Sequence, residues 1–176
     1  HALNGNLGFG GAVFTSGGRG TYKNNTFENN TARSGGAMYF NRTGDIDMTE
    51  SLFNRNNATA DGGAVYFTGH SSKIEYCNFT YNHADGQGGA LVFSYFTPTS
   101  GTATGGCSLV NSNFINNTVL GDGGAIVVSG SGEVLSSKFE GNIAKGFGGA
   151  IRVISSTGYE VRDSEFRKNL AYNGTT

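Results

Sequence analysis

Residues 51–67, SLFNRNNATADGGAVYF, contain the two short motifs that decide the fold. Phe53 and Asn56 form an F-x-x-N motif, and Gly62, Gly63 and Ala64 form a GGA motif that an aliphatic residue follows. Each motif occurs six times in the 176 residues. Self-similarity at a fixed period indicates a repeat architecture, in which each repeat is one structural unit stacked on the next.

The two motifs keep the same period along the chain. The first glycines of the GGA motifs are 25, 27, 26, 35 and 25 residues apart, and the phenylalanines of F-x-x-N are 26, 26, 35, 25 and 27 residues apart. Both series lengthen in the same repeat, around residues 95–107, which contain the only proline. We therefore expect repeats of about 26 residues with a surface loop insertion at about 95–107.

The residues between the motifs favour an all-β fold. Short runs rich in β-branched and aromatic residues, such as AVYFT and AIVVS, are separated by Gly, Asn and Asp. This pattern predicts a β-solenoid with three short strands and three turns per coil. A single domain over residues 1–176 would then have about 6.5 coils, each about 4.8 Å above the last. Leucine-rich repeats are excluded because their leucine frame and helical arc are missing.

Stacked repeats bring equivalent residues into columns. The third residue after each repeat phenylalanine is always Asn, which predicts an asparagine ladder along the solenoid axis. Asn suits such a position because its amide both donates and accepts hydrogen bonds. The predicted ladder comprises Asn4, Asn30, Asn56, Asn82, Asn117, Asn142 and Asn169.

The strand after each GGA motif has a second face that the core does not need. Side chains alternate along a strand, so apolar residues on one face are expected inside and their neighbours outside. The outward residues form a partly aromatic stripe: Phe14, Tyr39, Tyr66, Val92, Val127 and Arg152. Such a stripe typically marks an interface, and its rings could equally stack on sugars. Alternatively, the insertion folds over it.

Composition excludes several classes of partner. Charged residues make up 14% of the chain and the net charge is -1, so no nucleic-acid surface is expected. No apolar stretch approaches 18 residues, so no transmembrane segment is expected in this chain. Thirty glycines occur beside 12% aromatic residues, which argues against collagen and against disorder.

Seven Asn-x-Ser/Thr sequons occur, at Asn24, Asn29, Asn41, Asn57, Asn78, Asn116 and Asn173. None lies in a predicted inward column. They favour covalent N-glycans and an extracellular or cell-surface location after secretion. The alternative is that a repeat rich in Asn and Thr creates sequons by chance.

We find no pattern that predicts catalysis, a metal site or a cofactor. Asp61 and Asp122 precede GGA motifs two coils apart, at a separation that an inverting glycosidase could use, but turn residues explain them more simply. Asp45 and Asp47 could form a calcium site, but they too are explained more simply as turn residues. Cys77 and Cys107 are a candidate disulfide, but regular stacking would leave them about five residues out of register, with both thiols free as the alternative.

The alternation of GGA-aliphatic with F-x-x-N resembles the repeat of the chlamydial polymorphic membrane proteins over essentially the whole chain. That resemblance implies a right-handed parallel β-helix displayed at a surface, where family members act as adhesins and can form oligomers. Similar repeats occur in secreted proteins of algae and other microbial eukaryotes. The many sequons and the absence of a translocator barrel in the given residues depart from the bacterial pattern.

The resulting hypothesis is a non-enzymatic, extracellular structural or adhesive β-helix, which could be a glycosylated subunit of a surface filament. Its expected partners are further copies of the chain, associated end to end or laterally, or other surface proteins. A carbohydrate-binding or carbohydrate-cleaving β-helix is one alternative. A fragment of a bacterial autotransporter passenger adhesin is another.

Overall fold

The computed structural model describes residues 7–95, 106–154 and 158–172. These residues wind into a parallel β-solenoid of six coils, and no helix occurs among them. Each strand pairs in parallel with the equivalent strand of the coils above and below it, so that four six-stranded sheets run along the axis. Asn4, Asn173 and residues 96–105 of the predicted insertion lie outside the described residues.

Four strands of each coil define the four sheets. The first sheet follows the GGA motifs and contains β1 (Val13–Ser16), β5 (Met38–Thr43), β9 (Val65–Gly69), β13 (Leu91–Tyr95), β17 (Ile126–Ser129) and β21 (Ile151–Val153). The second contains β2 (Gly20–Lys23), β6 (Ile46–Thr49), β10 (Ser72–Glu75), β14 (Gly106–Val110), β18 (Ser131–Leu135) and β22 (Tyr159–Arg162).

The other two sheets flank the ladder asparagines. The third sheet carries the repeat phenylalanines on β3 (Thr26–Glu28), β7 (Leu52–Asn54), β11 (Asn78–Thr80), β15 (Asn113–Ile115), β19 (Lys138–Glu140) and β23 (Glu165–Arg167). The fourth contains the two-residue strands β4 (Thr31–Ala32), β8 (Asn57–Ala58), β12 (His83–Ala84), β16 (Thr118–Val119), β20 (Ile143–Ala144) and β24 (Leu170–Ala171).

The expected three strands per coil are corrected to four. The fourth strand follows the ladder asparagine directly and is only two residues long, too short to show alternation in the sequence. The insertion, expected at about 95–107, is also shorter in sequence than predicted. Tyr95 is the last residue of β13, and Gly106 and Cys107 are the first two residues of β14.

Two corners of each coil use a left-handed backbone. The residue after the second strand and the residue after the third have φ between 47° and 65° in every coil. The first set is Asn24, Glu50, Tyr76, Asn111, Ser136 and Asp163, and the second is Asn29, Arg55, Tyr81, Asn116, Gly141 and Lys168. An L-residue in this conformation costs about 1–2 kcal/mol, so packing between coils must hold these corners.

The two glycines of the GGA motif are required for two different reasons. The first glycine turns the chain with a positive φ, 67° at Gly62. The second lies where two coils approach too closely for a side chain, since a Cβ on Gly63 would stand 2.0 Å from the carbonyl oxygen of Gly89. Both requirements recur in each coil, which explains why the pair is repeated.

Stacked aromatic rings fill the interior. The repeat phenylalanines lie one above another with ring centroids 4.6 to 4.9 Å apart, a spacing set by the rise between coils. A second aromatic column, Phe40, Phe67 and Phe93, comes from the first sheet. Apart from the two end residues Phe27 and Phe166, these rings are at most 1% exposed. The inward faces predicted from alternation are therefore the core.

Candidate interaction surface

The ladder asparagines form one continuous network from Asn30 to Asn169. In each rung, the backbone N–H and the side-chain Nδ2 both donate to Oδ1 of the asparagine one coil further along, as from Asn56 to Asn82 at 3.0 Å. Nδ2 also donates to the carbonyl oxygen of the phenylalanine in the preceding coil, as from Asn82 to Phe53. Asn56, Asn82, Asn117 and Asn142 are completely buried, so these residues hold coils together and are not a ligand site.

A second polar ladder stands at the corner before the repeat phenylalanines. The hydroxyl of Ser112 donates to the carbonyl of Val110 and accepts from the backbone N–H of Cys77. Ser51, Ser137 and Ser164 make the equivalent bonds. Cys77 replaces serine in this column, and its Sγ donates to the carbonyl of Glu75 at 3.3 Å. In the sequence, this column lies two positions before each repeat phenylalanine and is occupied by small polar residues.

The candidate disulfide is not formed. Cys77 and Cys107 are both free and buried. Cys107 pairs with Ser72, five residues before Cys77 on the adjacent coil, so the register keeps the two sulfurs apart. Burial raises the pKa of Cys77 to about 11 and that of Cys107 to about 12, so both remain protonated at neutral pH.

The outward stripe is shorter than the sequence predicted. Val92 and Val127 were expected to be exposed, but they are only 5% and 1% exposed. The side chain of each valine packs against the first glycine of its own GGA motif. A Cβ added to Gly88 would lie 2.6 Å from Cγ2 of Val92, and a Cβ added to Gly123 would lie 2.5 Å from Cγ2 of Val127. At the far end, Arg152 lies over the ring of Phe147 at 4.8 Å. The exposed aromatic part is therefore confined to the first three coils.

This remaining region, Phe9, Phe14, Tyr39 and Tyr66, is called the aromatic patch below. Phe14 is 52% exposed and stacks on Tyr39 at 5.8 Å, and Tyr39 stacks on Tyr66 at 5.1 Å with an angle of 3° between their planes. Burial and, second, the carboxylate of Asp61 raise the pKa of both tyrosines. Because the rings of Tyr39 and Tyr66 stack on each other, less ring face is available to stack on a sugar, which favours a protein contact.

The aspartates weighed as a catalytic pair are engaged in turns. Asp61 Oδ1 accepts a hydrogen bond from the backbone N–H of Gln87 at 2.8 Å, and Asp122 Oδ1 accepts one from Phe147 at 2.7 Å. Each carboxylate thus supports the GGA turn of the next coil. Asp45, considered for calcium, forms an ion pair with Arg19 at 3.3 Å. Among the described residues, no three His, Cys, Asp or Glu side chains are grouped so that they could hold a metal ion.

The six described sequon asparagines are all at least partly exposed, but they fall into two structural groups. Asn24, Asn29 and Asn116 occupy left-handed corners, a conformation that Asn adopts more easily than most residues. Asn41, Asn57 and Asn78 instead lie in β5, β8 and β11. Other coils hold other residue types in these columns, such as His83 and Thr118 beside Asn57 and Ser16 and Thr68 beside Asn41, so the backbone does not require Asn there.

The outer face of the second sheet carries a polar column that our sequence reading missed. Asp47, Lys73, Ser108, Glu133 and Glu160 follow one another in register on consecutive coils. The hydroxyl of Ser108 donates to Glu133 at 2.9 Å. An open concavity of about 620 Å³ lies beside this column. Ser108, Glu133 and Glu160 of the outward column line it together with Cys107, Gly132 and Tyr159 of the inward column. The signal for this column in the sequence is its position, since each member directly precedes an inward apolar residue of the second sheet, as Lys73 precedes Ile74.

In the described part of the chain, no helix has the length and hydrophobicity needed to cross a membrane. A family model described as "Right handed beta helix region" matches residues 4–166. No curated protein and no solved structure matches the sequence.

Proposed function

Since the chain belongs to the right-handed β-helix family, we propose that it is a non-enzymatic extracellular structural or adhesive protein, N-glycosylated and built into a surface filament. The observation that carries this proposal is the placement of Asn41, Asn57 and Asn78 in strands, at positions where other coils hold residues other than Asn. The GGA and F-x-x-N repeat further supports an assignment to the polymorphic membrane protein type within the family.

The use of side chains in the solenoid supports a non-enzymatic role. The ladder asparagines, the corner serines, Asp61 and Asp122 are engaged in hydrogen bonds between coils. Polar residues that join neighbouring coils in this way suit a protein with mechanical continuity along its axis. The aromatic patch remains as outward surface that the interior does not use.

Glycosylation is tested by secreting the chain from a eukaryotic host and mapping occupied asparagines by mass spectrometry after enzymatic deglycosylation. We expect glycans at Asn57 and Asn78. Thr59→Ala should remove the glycan at Asn57 without altering Asn57 itself, and Thr59→Ser, which keeps a sequon, is the matched control. Unmodified asparagines at all strand sequons would overturn the extracellular glycoprotein proposal.

The adhesive role is tested at the aromatic patch. Replacing Tyr39 and Tyr66 together by Ser removes the exposed ring edges while leaving the inward residues of β5 and β9 in place. We expect loss of binding to cells or of lateral association, measured against a Leu120→Ser control elsewhere on the surface. Unchanged assembly, cell binding and glycan binding would remove the patch from the proposal.

The concavity on the second sheet favours a second candidate, binding or cleavage of a carbohydrate. Glu133 and Glu160 are in register on adjacent coils, and a coil rise of about 4.8 Å approaches the carboxylate separation of retaining glycosidases. Incubation with a panel of polysaccharides tests this candidate. Activity that Glu133→Gln and Glu160→Gln abolish, but that Glu140→Gln on the third sheet leaves intact, would replace the non-enzymatic proposal.

A further inference from the structure

The sequons differ in the residue that lies two positions before the asparagine. In five of the six described sequons this residue is aromatic: Tyr22, Phe27, Tyr39, Tyr76 and Phe114. An aromatic ring beside a glycosylated asparagine can pack on the apolar face of the first sugar, provided that the ring is exposed and uncovered. The five rings look alike in the sequence, but their burial separates them.

Four of the five rings are already covered. Phe114 is completely buried, and Tyr22 and Phe27 pack against the core. Tyr39 belongs to the aromatic patch, where neighbouring rings stack on it. Tyr76, in contrast, is 58% exposed, and no ring or cation of the described residues lies against it. Its ring is therefore available to a sugar.

Tyr76 and its sequon asparagine, Asn78, lie on the same outer side of the chain. Both residues are exposed, and Cys77 between them is completely buried. Their Cα atoms are no more than about 7 Å apart, a distance that a tyrosine ring and one pyranose can bridge. Oδ1 of Asn78 accepts a hydrogen bond from Nδ2 of Asn113 at 2.8 Å, whereas Nδ2 of Asn78 donates to no described residue. The nitrogen that a glycan would modify is therefore not used by the fold.

The backbone at Tyr76 gives a second argument. Its φ is 53°, a left-handed conformation that is unfavourable for a large L-residue. In other coils the same corner holds Asn24 and Asn111, which adopt this conformation more easily. Unfavourable backbone conformations are concentrated at functional sites. A contact made by the exposed ring would account for a tyrosine at this corner.

We propose that the first N-acetylglucosamine of a glycan at Asn78 packs on the exposed ring of Tyr76 and thereby stabilises the third coil. This inference rests on the glycoprotein proposed above and assigns a structural role to one of its sequons. In the underlying transfer, C1 of the sugar bonds to Nδ2 of Asn78, which loses one proton, and the lipid-linked diphosphate of the oligosaccharide donor leaves. The hydrogen bond from Asn113 is compatible with this product, because it ends on the other atom of the amide, Oδ1.

A double-mutant cycle in the chain secreted from a eukaryotic host isolates the contact. Asn78→Gln removes the glycan, and Tyr76→Asn removes the ring while keeping a residue type that occupies this corner in other coils. Thermal unfolding is measured for the four proteins, and mass spectrometry records the occupancy of Asn78. Tyr81→Asn is the matched control, since Tyr81 is 53% exposed at the other end of β11 but Arg55 lies over its ring at 5.5 Å.

We expect loss of the glycan to lower the midpoint of thermal unfolding by about 2–4 °C more in the chain with Tyr76 than in Tyr76→Asn. Tyr81→Asn should leave this effect of the glycan unchanged, and Tyr76→Phe, which keeps a ring, should retain it. Enzymatic trimming of the glycan to its first N-acetylglucosamine should retain it as well. The same cycle in unglycosylated protein from bacteria should show no coupling between Tyr76 and Asn78. If Tyr76→Asn fails to fold, Tyr76→Gly replaces it.

An equal effect of the glycan with and without the Tyr76 ring, in protein occupied at Asn78, would overturn the contact and leave the glycoprotein proposal standing. Coupling of the same size in the bacterial protein would also overturn it, because the two side chains would then interact without a sugar. An unmodified Asn78 beside an occupied Asn41 or Asn57 would overturn this inference alone. Unmodified asparagines at all three strand sequons would overturn the proposed function as well.

Discussion

Asn82 shows how much of the fold depends on single side chains. Its amide makes four hydrogen bonds to three residues, Asn56, Phe53 and Asn117, in a fully buried position. Among the described residues, the side chain of Asn30 makes one such bond, to Asn56, and Asn30 is partly exposed. The same residue type therefore carries different weight at a fully buried rung and at a partly exposed one.

We expect Asn82→Ala to lower the free energy of unfolding by about 3–5 kcal/mol, because it leaves several buried donors and acceptors unpaired. Asn30→Ala is the control and should cost about 1 kcal/mol. Urea unfolding followed by circular dichroism measures both. Equal losses would show that the rungs act independently of burial.

Tyr76 is held at φ 53° in a corner while its side chain is 58% exposed. Tyr76→Gly should stabilise the chain by about 1 kcal/mol relative to Tyr76→Ala, since both remove the same ring but only glycine relieves the left-handed backbone. Thermal unfolding of the two variants gives this difference. A less stable glycine variant would mean that the corner conformation is not strained.

At the level of strands and columns, the sequence predicts what depends on side-chain type. The phenylalanine column, the asparagine register and the inward faces follow from counting, because each requires one kind of residue. The left-handed corners could not be predicted, since Glu50, Tyr76 and Ser136 share only a backbone angle. The burial of Val92 and Val127 also escaped prediction, because it depends on how each side chain lies over its own turn.

The corner serine column makes a prediction about Cys77. Cys77→Ser should change the free energy of unfolding by no more than about 0.5 kcal/mol relative to the unsubstituted chain. In the neighbouring coils, the hydroxyls of Ser51 and Ser112 occupy the same position and donate to the carbonyl two residues earlier, as the Cys77 thiol does. Cys77→Ala should cost about 1 kcal/mol, because it removes the acceptor that the Ser51 backbone N–H uses. Urea denaturation distinguishes them, and an alanine variant as stable as the serine variant would contradict the column's role.

For the whole molecule, stability is distributed along one dimension. Each coil contacts only its neighbours through the four sheets, so a defect in the middle divides the solenoid while a defect in the last coil leaves the rest intact. The second glycine of each GGA motif allows a direct comparison, because a Cβ would meet backbone atoms at both Gly63 and Gly149.

Gly63→Ala should lower global stability by about 3 kcal/mol, because the new methyl group would overlap the backbone of Gly89 and His83 and force the third and fourth coils apart. Gly149→Ala would overlap Leu170 in the last coil, so its effect should be confined to β21 to β24. Gly17→Ala, where no atom lies within 4 Å of the added Cβ, is the control for the backbone cost alone. Native-state hydrogen exchange should show faster exchange throughout the chain for Gly63→Ala and only beyond residue 150 for Gly149→Ala. Identical exchange patterns in these two variants would mean that the coils unfold as one unit rather than through neighbour contacts.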